Sequence, residues 1–158
     1  MPDAPSPIRP TDAEARALAR KLLDTARFAA LGVIAPETGA PTVTRIACVP
    51  GPDGRPLSLI STLSQHTAAL DADPRCSLLI GEPGARGDPL THPRLTLQAV
   101  AEVADKAASR AHYLTLYPKA RLYFDFADFR LVAFTPGLGL LNGGFGKAFR
   151  LTPGDLAP

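Results

Sequence analysis

Thr42-Val43-Thr44-Arg45-Ile46-Ala47-Cys48-Val49, Pro50-Gly51-Pro52-Asp53-Gly54-Arg55-Pro56, Leu57-Ser58-Leu59-Ile60-Ser61-Thr62, Leu63-Ser64-Gln65-His66-Thr67 and Ala68-Ala69-Leu70-Asp71-Ala72 follow one another without interruption. The first and third segments are rich in β-branched and apolar residues, so they read as strands. The second is dense in proline, glycine and aspartate, so the two strands are expected to pair as a hairpin. The fourth is a hydroxyl-rich loop and the fifth a short helix, stopped by Asp73-Pro74. If the hairpin forms, Arg45 lies close to the hydroxyls of Ser61, Thr62, Ser64 and Thr67. A cation, several hydroxyl donors and a helix N-terminus then converge, which suits a phosphate. The plainer alternative is a surface arginine beside hydroxyls that only cap a helix.

Outward from this stretch the pattern stays one of short elements. Residues 1–10 are proline-rich and expected to form an extended, flexible arm. Thr11-Asp12-Ala13-Glu14 is a capping-box start for a helix whose rough stripe is Leu18, Leu22, Leu23 and Phe28. Residues 29–35 read as a strand that returns through 36–41 into the strand 42–49. Downstream, 75–80 and the alternating run 94–103 are strands. Residues 106–117 favour helix, closed by Pro118, and 129–135 is another strand. The glycine-rich run 136–146 reads as a connection, with a last short strand at 147–151. The whole reads as mainly β with flanking helices: a small barrel of about six mostly antiparallel strands, with 11–158 as one domain.

Composition narrows the function classes. A net charge of +2, without basic runs interleaved with aromatics, gives no footprint for nucleic acid. No apolar run approaches the roughly 20 residues of a membrane helix, and the N-terminus lacks a signal pattern. The cytoplasm is therefore the expected location. Cys48 and Cys76 lie in apolar strand patterns without a disulfide framework, so buried free thiols are expected. His66, His92 and His112 are not spaced as metal ligands, and no metal site is expected. The glycines of 137–146 do not fit a dinucleotide fingerprint. No nucleophile–histidine–acid order or paired carboxylates stand out.

Taken together, the motifs resemble a known family. Arg45, Gly54-Arg55-Pro56, Leu59-Ile60-Ser61, His66-Thr67 and Asp73-Pro74-Arg75-Cys76-Ser77-Leu78-Leu79 are similar in order and spacing to the pyridoxamine-phosphate-oxidase-like flavoproteins. Gly87-Asp88-Pro89-Leu90-Thr91-His92-Pro93-Arg94-Leu95-Thr96-Leu97-Gln98, Phe126-Ala127-Asp128-Phe129 and Gly143-Gly144-Phe145-Gly146 resemble their haem-utilisation (HugZ-like) branch. The resemblance implies an FMN-binding split β-barrel, a homodimer with FMN at its interface, and oxidoreductase chemistry on a small molecule. By that analogy Arg45, Ser61, Thr62, His66 and Thr67 hold the FMN phosphate. Ile46 and Ala47 run beside the flavin ring, and Phe145 approaches it from the second subunit. No catalytic acid or base is implied. Two departures matter. The arginine–x–histidine pair that handles pyridoxamine phosphate is missing from Phe149-Arg150-Leu151-Thr152, which argues against that substrate. The extra C-terminal domain of longer haem-utilisation relatives is not expected here. A haem-binding or haem-handling protein, or a flavin-free ligand-binding dimer, are the alternatives.

Overall fold

Fourteen residues without a break, Phe129 to Asn142, form the longest strand and carry most of the sheet. The structure is a computed structural model and describes residues 4–158. In chain order its elements are β1 (Ile8–Arg9), α1 (Ala13–Thr25), β2 (Phe28–Ile34), β3 (Pro41–Ala47), β4 (Val49–Pro50), β5 (Pro56–Ser61), α2 (Gln65–Ala72), β6 (Arg75–Ile80), β7 (Arg94–Val103), α3 (Lys106–Leu116), β8 (Phe129–Asn142) and β9 (Ala148–Leu151). Short 3-10 turns lie at Pro89–Thr91 and Pro118–Leu122. The main path of the sheet runs β1-β9-β8-β7-β6-β2-β3, and β5 joins β8 with β4 beside it. Every pairing is antiparallel except β1 with β9, where Ile8 and Arg9 of the expected arm meet Ala148 and Phe149. The sheet curls until β3 approaches β5 without pairing to it. That unpaired seam makes this a split barrel, mainly β with helices at its edges, as the sequence implied.

The hairpin expected between 42–49 and 57–62 does not form as such. β3 ends at Ala47, and only Val49 with Leu57 and Pro50 with Pro56 pair across the turn. The turn itself is tight: Gly51 N–H donates to the Arg55 carbonyl at 2.8 Å, and Gly54 sits at φ +85°. The rest of β5 pairs with β8, from Leu57 with Ala133 to Ser61 with Phe129. The hairpin of β2 with β3 forms in full, Phe28 with Ala47 through Ile34 with Pro41.

The glycine-rich run 136–146 is also corrected. As far as Asn142 it is strand, not connection. Gln98 pairs with Leu138 and Ala99 with Pro136, which leaves Gly137 as the extra residue of a β-bulge. A bulge tolerates the proline, which has no ladder N–H to give. At Gly139 a Cβ would stand 3.2 Å from both Leu151 and Leu156 side chains, so a larger residue there would have to displace these leucines by a few tenths of an ångström.

Period-two alternation sends Ala29, Leu31 and Val33 of β2 inward with Leu78, Leu95, Leu97 and Phe134. α1 adds Ala15, Ala19 and Leu23 to the same core. Its N-cap is Asp12, which accepts from Ala15 N–H at 2.8 Å, while Thr11 donates instead to the Arg150 carbonyl at 2.9 Å. A second core lies on the other side of β5 and β8, where α3 and the turn after it bury Tyr113, Leu114, Ala120 and Phe124 against Leu57, Leu59 and Leu131. There α3 also satisfies backbone groups beside the short β4. Leu59 N–H donates to Tyr113 Oη at 3.2 Å, and His112 Nε2–H donates to the Pro50 carbonyl at 2.7 Å.

Tyr113 is fully buried, so Tyr113→Phe strands a buried N–H without moving the ring. The expected loss is about 1–3 kcal/mol in urea unfolding. A change under roughly 0.5 kcal/mol would show that the Leu59 amide does not depend on this hydroxyl.

Candidate functional site

The pleat of β3 gives its two faces different work. Thr44 turns to one side, where its hydroxyl meets His66 Nδ1 at 3.1 Å. Arg45 turns to the other and lies over the Phe28 ring at 5.8 Å. The Arg45 side shares one sheet face with Phe28, Ala30, Gly32 and Ile34 of β2 and with Ser77 and Leu79 of β6. Gln98 and Val100 of β7 continue it. While α3 covers the outside of β5 and β8, this face leaves Phe28, Ile34, Val43, Leu79, Val100 and Leu140 exposed. A groove of about 650 Å³ runs across it, lined among others by Gly32, Val43, Ser77, Gln98, Val100 and Gly137. Arg45 stands two residues along β3 from Val43, roughly 7 Å away on the same face.

The hydroxyl-rich turn lies at the end of β5. Ser61 Oγ accepts the Leu63 N–H at 3.1 Å, and the Ser61 carbonyl accepts both the Ser64 N–H at 3.1 Å and the Thr67 hydroxyl at 2.5 Å. Thr62 N–H donates to the Asp128 carbonyl at 2.7 Å. α2 begins at Gln65, one turn earlier than the sequence suggested, so His66 and Thr67 are helical. Its N-cap, Ser64, makes no side-chain capping bond. Asp71 of α2 takes both arms of Arg130 of β8, at 2.6 and 3.1 Å, which fixes the helix against the barrel.

Ser61, Thr62 and Thr67 are thus brought together, with His66 beside them. Arg45 does not reach their hydroxyls: the link to them runs through its neighbour Thr44, because β3 does not pair with β5. Ile46 is buried in the barrel core, and Ala47 lies half-buried opposite Phe28. Phe145 joins none of these. It stands 98% exposed on the turn between β8 and β9. The groove itself was not singled out from the sequence. Its available signals were Gly32 inside a strand and the lone amide of Gln98 in an apolar alternation.

Among the described residues no three His, Cys, Asp or Glu side chains cluster as a metal site. His92 is held at both ring nitrogens: Gly84 N–H donates to Nδ1 and Nε2–H donates to the Arg86 carbonyl, each at 2.8 Å. Cys48 and Cys76 are free and buried, as expected, and burial pushes their thiols up to about 12 and about 11. Neither is a nucleophile at neutral pH. No helix among the described residues is long and apolar enough to cross a membrane.

Comparison with known proteins places this geometry. The family model described as pyridoxamine 5'-phosphate oxidase matches residues 15–137. The non-canonical heme oxygenase HOZ of Arabidopsis thaliana chloroplasts is 39% identical over 101 residues, 61% of this chain and 30% of that protein. The chain therefore spans under a third of that curated relative. One solved chain is 49% identical with a TM-score of 0.90, over 95% of this chain and 99% of its own length. The structure of a heme binding protein from Mycobacterium smegmatis is 29% identical with a TM-score of 0.81, over 94% of this chain and 61% of its own.

His66 carries a measurable signature of its setting. Burial lowers its pKa below the ordinary 6.5. Protonation is then easier in the unfolded chain, so the His66 contribution to stability is intact above pH 6.5 and declines as pH falls through 6.5 toward the folded value. The ring Cε1–H resonance followed by NMR is expected to titrate with a midpoint under 6.5. A midpoint at or above 6.5 contradicts the half-buried placement beside Thr44.

Proposed function

The chain belongs to the pyridoxamine 5'-phosphate oxidase family, and from that premise we propose that it is an FMN-binding oxidoreductase acting on a small molecule. The observation that carries the reading is the groove with Arg45 on the same face. Its small floor residues, Gly32, Ser77 and Gly137, leave room for a flat ring, and Val43 and Val100 give it apolar contact. Ser77 and Gln98 offer polar atoms to the ring edge. Arg45, the Thr62 and Ser64 hydroxyls and the α2 N-terminus supply charge and donors for a phosphate. FMN, when bound, supplies the hydride or single-electron chemistry. The protein contributes binding, orientation and exclusion of water, and no side chain is assigned as acid or base.

A homodimer belongs to this reading. The exposed apolar face of β2, β3, β6 and β7 is a natural cover for a second copy. Phe145 then leaves solvent and reaches toward the flavin of that copy. The proposed substrate is a molecule other than pyridoxamine phosphate, since Phe149-Arg150-Leu151-Thr152 does not carry the arginine–x–histidine pair, and the cytoplasm is the proposed location.

A second reading, haem binding or haem handling, draws its support from relatives described as a heme oxygenase and a heme binding protein. The groove's volume of about 650 Å³ is in the range of small-molecule and cofactor sites, but none of the three histidines lines it. An iron held there has no histidine from its own wall.

Visible absorption of the purified protein after adding FMN or haemin and desalting separates the two. Retained flavin bands are expected. A Soret band without flavin would put haem first. Arg45→Ala is expected to weaken FMN binding by roughly tenfold or more while the dimer persists in sedimentation. Unchanged FMN affinity would remove Arg45 from the phosphate site.

A further inference from the structure

Thr67 stands in the first turn of α2, beside the proposed phosphate, yet it is only 1% exposed. A threonine hydroxyl has a single proton to give. Thr67 Oγ1 gives it to the Ser61 carbonyl at 2.5 Å. The same carbonyl accepts the Ser64 N–H, so two donors from the start of α2 close on the last residue of β5. Ser61 Oγ, in turn, accepts from Leu63 N–H. The turn 61–67 is therefore a small closed ring of hydrogen bonds, tied to the barrel by Thr62 N–H on the Asp128 carbonyl. An anion approaching from solvent finds neither access to Thr67 Oγ1 nor a spare proton on it. Ser64 differs: it is partly exposed, and its hydroxyl makes no capping bond.

We infer that Thr67 is a positioning residue of the phosphate turn: it acts by donating to the Ser61 carbonyl and does not touch the phosphate. The inference rests on the FMN reading above. It departs from the residue-by-residue analogy, which makes Thr67 a phosphate ligand. The Thr67 hydroxyl sets where the turn holds the uncapped Ser64 side chain at the start of α2, so its effect reaches the phosphate through the turn. Removing it leaves the Ser61 carbonyl one partner, the Ser64 N–H, so the chain still folds while the turn loosens.

The test uses the full chain as wild type, Thr67→Val and Thr67→Ser. FMN and riboflavin affinities come from flavin fluorescence titration, and amide exchange of Leu63 and Ser64 is followed in the cofactor-free protein. Thr67→Val is expected to lower FMN affinity about tenfold, the worth of one hydrogen bond. Riboflavin affinity, blind to the phosphate, stays at wild type, and the Leu63 and Ser64 amides exchange faster. Thr67→Ser, which keeps the hydroxyl, restores all three readouts. Unchanged FMN affinity in Thr67→Val overturns the inference. So does a loss of affinity without faster exchange, which is the mark of a direct ligand. A wild type that binds neither flavin, or binds both equally, overturns the FMN-phosphate reading itself and the inference with it.

Discussion

The pairing of β7 with β8 is the constraint on which the rest of the barrel depends. β8 is paired with β7 along its length, with β5 at its first half and with β9 at its second. A strand serving three partners must bend, and the bulge at Gly137 is where its register shifts. On one side of the bend the outer surface is roofed by α3 and the second core. On the other it is left bare, and the groove opens beside the bulge, with Gly137 and Gln98 in its lining. Register and site are thus one feature, because the residue that absorbs the shift also hollows the wall.

The split between β3 and β5 follows from the same arrangement. β5 satisfies one edge with β8, and along its other edge it meets the two residues of β4, the Tyr113 hydroxyl and, at Ser61, donors from the start of α2. β3 has β2 alone. The turn 61–67 with the start of α2 sits beside this seam. Side-chain polar groups bridge the seam where a ladder would otherwise run, chiefly Thr44 with His66. A seam of this kind can widen without breaking strand pairing, which suits a place that must admit a ligand.

Much of this was legible in the sequence where local signals and long-range pairing agree. The short apolar run 29–35, followed by the turn formers Pro36 to Pro41, forms the hairpin expected of it, and Phe28, expected on the preceding helix, opens its first strand. Legibility failed where turn chemistry competed with distant partners. Pro136, Gly137 and Gly139 read as a connection by composition, yet β7 on one side and β9 on the other offer ladder bonds that outweigh the low strand propensity of glycine. Leu57 to Ser61 was expected to fold back on 42–49, but β8 presents a longer partner. Gln65, His66 and Thr67 look like loop residues, so the sequence signal for α2 starts only at Ala68, whereas the helix begins at Gln65. The absence of a side-chain cap on Ser64 gives no sequence signal at all. The groove draws its wall from five strands spread between residues 32 and 137, so no window of the chain contains it.

The choice between a flavin and a haem turns on what the histidines are already doing. Haem iron takes its strongest protein ligands from a nitrogen or sulfur lone pair. His92 has both ring nitrogens engaged with its own loop, and His112 donates to β4 on the α3 side of the barrel. His66 keeps Nε2, but its Nδ1 contact holds the ring on the Thr44 side of β3, across the strand from the groove. Both thiols are buried and firmly protonated. FMN asks for less that is rare: a flat apolar slot, a few polar atoms at its rim, and positive charge or N–H donors for its phosphate. The chain has the slot on one face of β3, with Arg45 beside it. The donors of the 61–67 turn lie one residue away around the same strand. An anionic group at the edge of β3, a flavin phosphate or a haem propionate, would stand between Arg45 on one face and the 61–67 turn on the other, so it is the placement of the histidines, and not the charge, that separates the two ligands.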